Sequence, residues 1–390
     1  MTRRLLLLAA LALLAPATAS AQSLFNAAGL GVPADPVDAR ARALGGVGIG
    51  LRGAALMGSD PAAAAFFVLP TVIMTAQPSW VDFERQDNGE SGTFRGARFP
   101  VMGIAYPTVK SLVATLSLES FLDQRYEAGW PTTLSFGGTP VQVRDEFVSS
   151  GGVSQVRIGV ARRFGGSLAV GVSASRYSGS LTRRLTRSFG EGVDTTAVES
   201  FQDGGFWSYS GLGLTGGASL SLGTVAHLSG SMTWSSPLDA TASDDSGGDS
   251  RSYDLPLQVR VGASAVLAPG LSLTAGYTSA DWSSLDADLG GGFSVGPASS
   301  LGVGLELARA RLLGRNAPLR FGYRSSDLPF ALGAGATETV WTGGLGLHLS
   351  QVGEIVRAGV DLAFERGDRK DSILSERFWR GTITVRVSGL

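Results

Sequence analysis

The chain has no cysteine, only two histidines (His227 and His348), and only two lysines, Lys110 and Lys370, among its 32 basic residues. The first absence excludes disulfides, thiolate metal sites and cysteine nucleophiles. Two histidines leave little for a metal centre, which wants three or four ligands with support behind them. Long apolar runs are missing too. Beyond the first 21 residues the longest is Ala62 to Leu69, well short of the roughly 20 residues that a membrane helix needs. Charge of one sign is not in excess either, with 32 basic against 33 acidic residues. Clustered basic charge of the kind that nucleic acid requires is not evident.

What is present points to export. Arg3 and Arg4 precede the apolar stretch Leu5 to Leu14, and Ala19-Ser20-Ala21 then offers the small-x-small pattern of a signal-peptide cleavage site. Residues 1–21 are therefore expected to be a signal peptide, leaving a chain that starts at Gln22. Glycine is abundant, at 55 of 390 residues, alongside 44% apolar and 17% charged residues. That mixture suits short alternating strands better than helices. An exported protein of this size without disulfides is held either by a large soluble core or by the bilayer. In a bilayer, strands are tolerated only as a closed barrel, the one form that leaves no backbone group unpaired in lipid.

Period-2 alternation runs through most of the chain. In the clearest stretch, Leu257, Val259, Val261, Ala263, Ala265 and Leu267 share one face while Gln258, Arg260, Gly262 and Ser264 share the other. The same pattern holds for Val156-Ile158-Val160, Leu168-Val170-Val172, Leu212-Leu214, Leu301-Val303-Leu305 and Ile383-Val385-Val387. The second face is mostly Gly, Ser, Thr and Ala, with Arg157, Arg260, Glu306, Arg357, Asp361 and Arg386 as candidate lumenal polar residues. Six short turns, such as Gly165-Gly166 and Ala268-Pro269-Gly270, alternate with seven longer polar stretches, including Asp82–Arg95, Gly129–Glu146, Asp327–Glu338 and Gly367–Ser375. Short and long connections in strict alternation, with an even strand number, are the marks of an outer-membrane barrel. The expected fold is all-β: a 14-stranded antiparallel transmembrane β-barrel over residues 71–390. Trp80, Trp130, Trp234, Trp282 and Trp379 near strand ends suit interfacial girdles. On these faces Val261→Arg meets lipid, whereas Gly262→Ser is expected to be tolerated in the lumen.

Residues 22–70 do not alternate and are rich in Ala and Gly. A 14-stranded barrel is wider than its own side chains can fill, so this segment is expected to be a plug. Within it, Arg42, Gly45 and Gly46, followed by Asp60-Pro61-Ala62, resemble the N-terminal hatch of FadL-type outer-membrane transporters and of the related PorV-type barrels. Asp60 departs from the asparagine usual there, keeping the acceptor but adding a charge. The resemblance implies a 14-stranded barrel with a plug, and passive uptake of hydrophobic small molecules, long-chain fatty acids or similar. It also implies ligand exit sideways through a gap in the wall, for which Pro100, unable to donate to a ladder, is a candidate mark. The alternative is a PorV-like platform for secretion or assembly, without transport. Implied partners are outer-membrane lipid and lipopolysaccharide and a hydrophobic ligand, with no nucleic acid, no cofactor and a monomeric state.

Other motifs read as structural. Gly48 to Gly53 matches G-x-G-x-x-G, but no strand–turn–helix unit surrounds it. Gly292 to Gly296 matches G-x-S-x-G, with both histidines far away in sequence. The five aspartates of Asp239–Asp254 suit a solvated loop better than calcium. Arg183, Arg184 and Arg187 could hold lipopolysaccharide phosphates. No residue set suggests catalysis.

Overall fold

A computed structural model describes residues 22–87, 89–108, 111–136, 139–189, 201–243, 248–289, 291–312, 314–353 and 355–389. The expected signal peptide lies outside these residues. Fourteen antiparallel strands follow in chain order, several of them interrupted. They are β1 (Thr71–Arg85), β2 (Ser91–Arg98 and Val101–Pro107), β3 (Leu112–Asp123 and Tyr126–Phe136), β4 (Thr139–Phe164) and β5 (Leu168–Phe189). Next come β6 (Phe201–Leu222), β7 (Ala226–Ser235 and Leu238–Ala242), β8 (Arg251–Tyr253 and Gln258–Ala268), β9 (Leu271–Asp281) and β10 (Pro297–Leu307). The last four are β11 (Leu319–Asp327), β12 (Thr337–Val352), β13 (Ile355–Lys370) and β14 (Leu374–Ser388). Each pairs with its neighbours, and β1 pairs with β14 from Thr71↔Ser388 to Arg85↔Leu374. The sheet is closed.

Closure turns the alternation of the sequence into an outside and an inside. Val156, Ile158 and Val160 on β4, Leu212 and Leu214 on β6, and Val259 and Val261 on β8 are exposed on the outer wall. Between them Gln155, Arg157, Thr215, Gln258 and Ser264 point inward and are buried. Apolar side chains facing away from the core are costly in water and favourable in lipid, which is the arrangement of a barrel spanning a membrane. The six predicted short turns lie at the end of the barrel where Thr71 pairs with both Ser388 and Ala105.

At the opposite end two of the predicted long loops are strand. The stretch read as a loop from Asp82 to Arg95 is a ladder from Gln77↔Arg98 to Glu84↔Ser91. Likewise the stretch Gly129–Glu146 is a hairpin paired out to Phe136↔Thr139. Once a hairpin clears the membrane its outward face becomes polar, as at Asp82 and Glu84, while Val81 and Phe83 turn inward. The apolar-outside phase set by lipid is thus lost while the hydrogen bonding continues. Trp282 is also not a girdle residue: it is 2% exposed and packs edge-on against Phe330, with ring centroids 5.4 Å apart. Trp80, Trp130 and Trp234 are exposed as expected.

The segment before β1 touches the inward side of strands right round the barrel. Its short helix α1 (Ala39–Ala43) is capped by Asp38, which accepts from the Ala41 amide, and the Ala39 amide donates to Thr384 Oγ1 at 2.8 Å. A 3-10 turn, Pro61–Phe66, packs on β4, β5 and β6. The segment fits because the wall is hollowed by glycine. A Cβ at Gly262 would strike the Ile49 carbonyl, and one at Gly322 would strike the Gly45 amide. Gly262→Ser is therefore not a harmless lumenal change, contrary to the expectation from sequence.

The two faces give a paired test. Val261, 51% exposed on the outer wall, should lose about 2–4 kcal/mol on replacement by arginine if it lies near the bilayer midplane. Gly262→Ser should also destabilise, through the clash with Ile49, whereas Gly216→Ala, with no atom within 4 Å of its Cβ position, should be neutral. Equilibrium unfolding in lipid measures all three.

Candidate functional site

The lumen is dominated by a lattice of arginines and carboxylates carried on alternate positions of β10 to β14. Glu338 lies 2.9 Å from Arg324, 2.6 Å from Arg369 and 3.5 Å from Arg380. Glu365 lies 3.3 Å from Arg324 and 4.0 Å from Arg42. Arg320 bridges Glu306 at 3.0 Å and Asp361 at 2.5 Å, and Arg40 reaches the same Glu306 at 2.9 Å. Buried charges survive only when paired and hydrogen-bonded, and here they pair across strands. Glu376 fastens the start of the chain, accepting from Ser23 Oγ and from the Leu24 amide at 2.7 Å.

The lumenal residues expected from sequence divide unevenly. Arg157 is buried and donates to Glu119 Oε2 at 3.3 Å, Thr215 Oγ1 at 2.7 Å and Gln155 Oε1 at 3.0 Å. Arg260 faces inward and donates to Gln258 and Thr233. Glu306 and Asp361 belong to the lattice. Arg357 does not: it is exposed and forms no ion pair among the described residues. In the hatch motif, Arg42 donates to the Asp35 carbonyl, and the Gly45 amide donates to Thr342 Oγ1 at 3.0 Å. Gly45 and Gly46 both have positive φ, which suits glycine at the end of α1. Asp60 accepts from the amides of Gly50 at 3.2 Å and Ala63 at 3.3 Å, capping the turn that Pro61 and Ala62 begin. Sequence reasoning missed Glu338 and Arg369, which fall inside stretches read as loops, and Arg320 and Arg324, although these alternate with Leu319, Phe321 and Tyr323.

Above the lattice the interior is apolar. Phe121, Tyr177, Tyr209, Leu238, Tyr253, Trp282 and Phe330 form the largest buried cluster. Two cavities flank it. The outer one, about 200 Å³, is walled by Tyr126, Trp207, Tyr209 and Tyr253 with Arg183 at its side. The central one, about 140 Å³, lies between Phe121, Tyr177 and Trp282 and the arginines below.

The wall is interrupted in one region. Ser91–Arg98 of β2 pairs with β1 only, and Tyr126–Phe136 of β3 pairs with β4 only, so no ladder joins them among the described residues. Nearer the turns the same two strands are fully paired, from Val101↔Glu119 to Pro107↔Val113. The break falls at Phe99-Pro100, where proline has no N–H to give. Ser120 closes the rim, donating from its amide and its hydroxyl to the carbonyls of Pro100 and Phe99, each at 3.0 Å. Gln22 bridges the two edges: its side chain donates to the Ala97 carbonyl at 2.8 Å and its amide to the Arg125 carbonyl at 3.1 Å. A cavity of about 240 Å³ lies at the rim of this gap, between Arg98, the β3 kink at Ser120 to Arg125 and Gly151 to Ser154 of β4. Ala34 and Arg98 are common to its lining and that of the central cavity.

The remaining motifs take ordinary places. Gly50 of the G-x-G-x-x-G match packs against Gly262 inside the barrel. Ser294 of the G-x-S-x-G match donates to the Gly333 carbonyl, and His227 is buried between Ser221 and Ser229. No group of metal-binding side chains occurs among the described residues, and part of the Asp239–Asp254 loop lies outside them. The arginine cluster is divided by the pleat. Arg183 lines the outer cavity, Arg184 is exposed, and Arg187 is engaged with Asp145 at 2.6 Å.

Asp60 is fully buried with no cation paired to it among the described residues, and burial raises its carboxyl pKa despite the amides that favour the charge. Its folded form thus holds a proton more tightly than its unfolded form. The stability this gives is present below the unfolded pKa and is lost as pH rises through the folded one. Asp60→Asn should therefore be at least as stable as wild type at neutral pH, with the difference closing on acidification. Asp60→Ala, which loses the cap, should fall by about 1 kcal/mol. Thermal unfolding as a function of pH reads both.

No family model and no curated protein matches the chain. Solved structures do. A Pseudomonas aeruginosa FadL homologue is 12% identical, with 92% of this chain aligned to 100% of that one at a TM-score of 0.64. The Ralstonia pickettii toluene transporter TbuX is 16% identical over 90% of this chain and 98% of its own, at a TM-score of 0.56. The Pseudomonas putida toluene transporter TodX is 13% identical over 92% and 99%, also at 0.56. At such identities the likeness is one of architecture, and in architecture this chain resembles the FadL-type transporters.

Proposed function

We propose that the protein is an outer-membrane channel for passive uptake of small hydrophobic molecules, with residues 22–70 as its plug and the β2–β3 gap as its lateral exit. The observation that carries this reading is the common wall of Ala34 and Arg98 between the central cavity and the gap. A ligand entering past the aromatic outer cavity would cross the apolar cluster, pass the arginines that line the central cavity, and leave into the membrane through the gap. The fold likeness to toluene transporters supports a solute of this kind. The central cavity, about 140 Å³, is close to the volume of an apolar cavity known to hold a benzene ring. That favours compact ligands over long acyl chains. The platform alternative gains nothing from these likenesses.

Two alterations test the route and the plug separately. Because the chain has no cysteine, Ala97→Cys with Glu127→Cys can be bridged across the gap by a short bismaleimide. Cells carrying the bridged protein should take up labelled toluene no faster than cells without it, and the unbridged pair should behave as wild type. Unchanged uptake after bridging would remove the lateral exit. Deleting residues 23–57 should convert a protein of low conductance in planar bilayers into a steadily conducting one, and equal conductance would mean the segment is no plug.

A further inference from the structure

The central cavity is unusual in its charge. Seven arginines but only three carboxylates line it. Five of those arginines are ion-paired within the lattice or to Glu119. The other two, Arg98 and Arg260, form no ion pair among the described residues. Arg98 donates to the Gln77 side-chain oxygen at 2.6 Å, and Arg260 to Thr233 Oγ1 at 3.2 Å and to Gln258. These neutral acceptors occupy N–H groups but cancel no charge. A guanidinium inside a barrel is costly without a counter-charge, so the two positive charges facing this space call for an anion. On the other side of the cavity lie Phe121 and Tyr177, with ring centroids 4.6 Å apart, and the buried Trp282.

Resting on the channel reading above, we propose that the central cavity binds a small organic acid, its carboxylate paired with Arg260 or Arg98 and its apolar body against Phe121, Tyr177 and Trp282. The guanidinium fork matches a carboxylate with two parallel hydrogen bonds, a match that a neutral hydrocarbon cannot supply. The cavity volume admits a single ring bearing a carboxylate. Arg98, which also lines the gap, provides a second positive site on the way out, so the charge need not be stranded between entry and exit. The cavity thus favours a compact aromatic acid over a neutral hydrocarbon of the same size, which the channel still admits.

Calorimetric titration of the purified full chain in detergent tests this, with benzoate, its neutral ester methyl benzoate, and toluene as probes. Wild type should bind benzoate at least tenfold more tightly than the ester. Arg260→Gln, which keeps hydrogen-bonding capacity without the charge, should weaken benzoate at least tenfold while leaving the ester within twofold. Arg260→Lys should recover part of the loss. Heat-dependent gel migration checks that each variant is a folded barrel, and Arg98→Gln serves in the same way should Arg260→Gln fail to fold. Ester or toluene binding as tight as benzoate in wild type, or benzoate affinity indifferent to both substitutions, would overturn the anion site and leave the channel reading standing. If no probe binds, the site is overturned as well. Toluene uptake by cells then decides the rest: uptake that still depends on the protein keeps the channel reading, and uptake that does not ends it.

Discussion

The structure depends on one constraint: in hydrocarbon, each unpaired backbone N–H or C=O costs several kcal/mol. A sheet of alternating strands meets it only by closing, and here closure is the ladder between β1 and β14. Closure in turn creates a problem that a sandwich does not have. Fourteen strands enclose more space than their inward side chains fill, and the inward positions are largely small, as at Gly262, Ser264, Thr215 and Gly322. The chain's own N-terminal segment lies against the inward wall of that space. Its backbone approaches so closely that the wall must be glycine where Ile49 and Gly45 lie. Small residues in the wall and small residues in the segment are two sides of one requirement.

The same constraint explains the lattice. A charged side chain inside a barrel is tolerated when it is matched, and the period of two places the partners at matching heights on neighbouring strands. Arg324 and Glu338 sit on β11 and β12, and Glu365 and Arg369 on β13, so each charge meets another across a ladder rather than along its own strand. The N-terminal segment joins this network at Arg40–Glu306 and at Ser23–Glu376. Its position is therefore held by charge pairing as well as by packing.

The barrel was legible in the sequence because lipid outside and a lumen inside impose alternation, and because turn and hairpin lengths differ at the two ends. Strand number and the faces of Val261 and Arg260 follow from that alone. The hairpins beyond the membrane were not legible. Residues such as Glu84, Ser91 and Arg144 pair in ladders outside the membrane, where the outward face is polar and the apolar-outside pattern that marks a membrane strand no longer holds. The loss carried over to the site, since Glu338 and Arg369 lie in stretches that read as loops. Arg40 of the N-terminal segment meets Glu306. Asp361 is taken by Arg320, while Arg52 donates to the carbonyls of Gly223 and Thr224. Which acid a given arginine meets depends on strand register, and the sequence does not print register.

The gap between β2 and β3 is the point where the governing constraint is relaxed, and the way it is relaxed is informative. A proline at the break removes one donor that would otherwise need a partner. Ser120 satisfies the two carbonyls at the rim, and Gln22 and Arg125 share the carbonyl of Ala97. The edges there are met by side chains and by the N-terminal segment, whose Val32 and Pro33 pair with Asp123 and Leu122 and whose Ala34 amide donates to the Phe121 carbonyl. This wall keeps continuous ladders on either side of the gap. At the gap itself the N-terminal segment, Ser120 and Arg125 supply the partners that a neighbouring barrel strand would otherwise give.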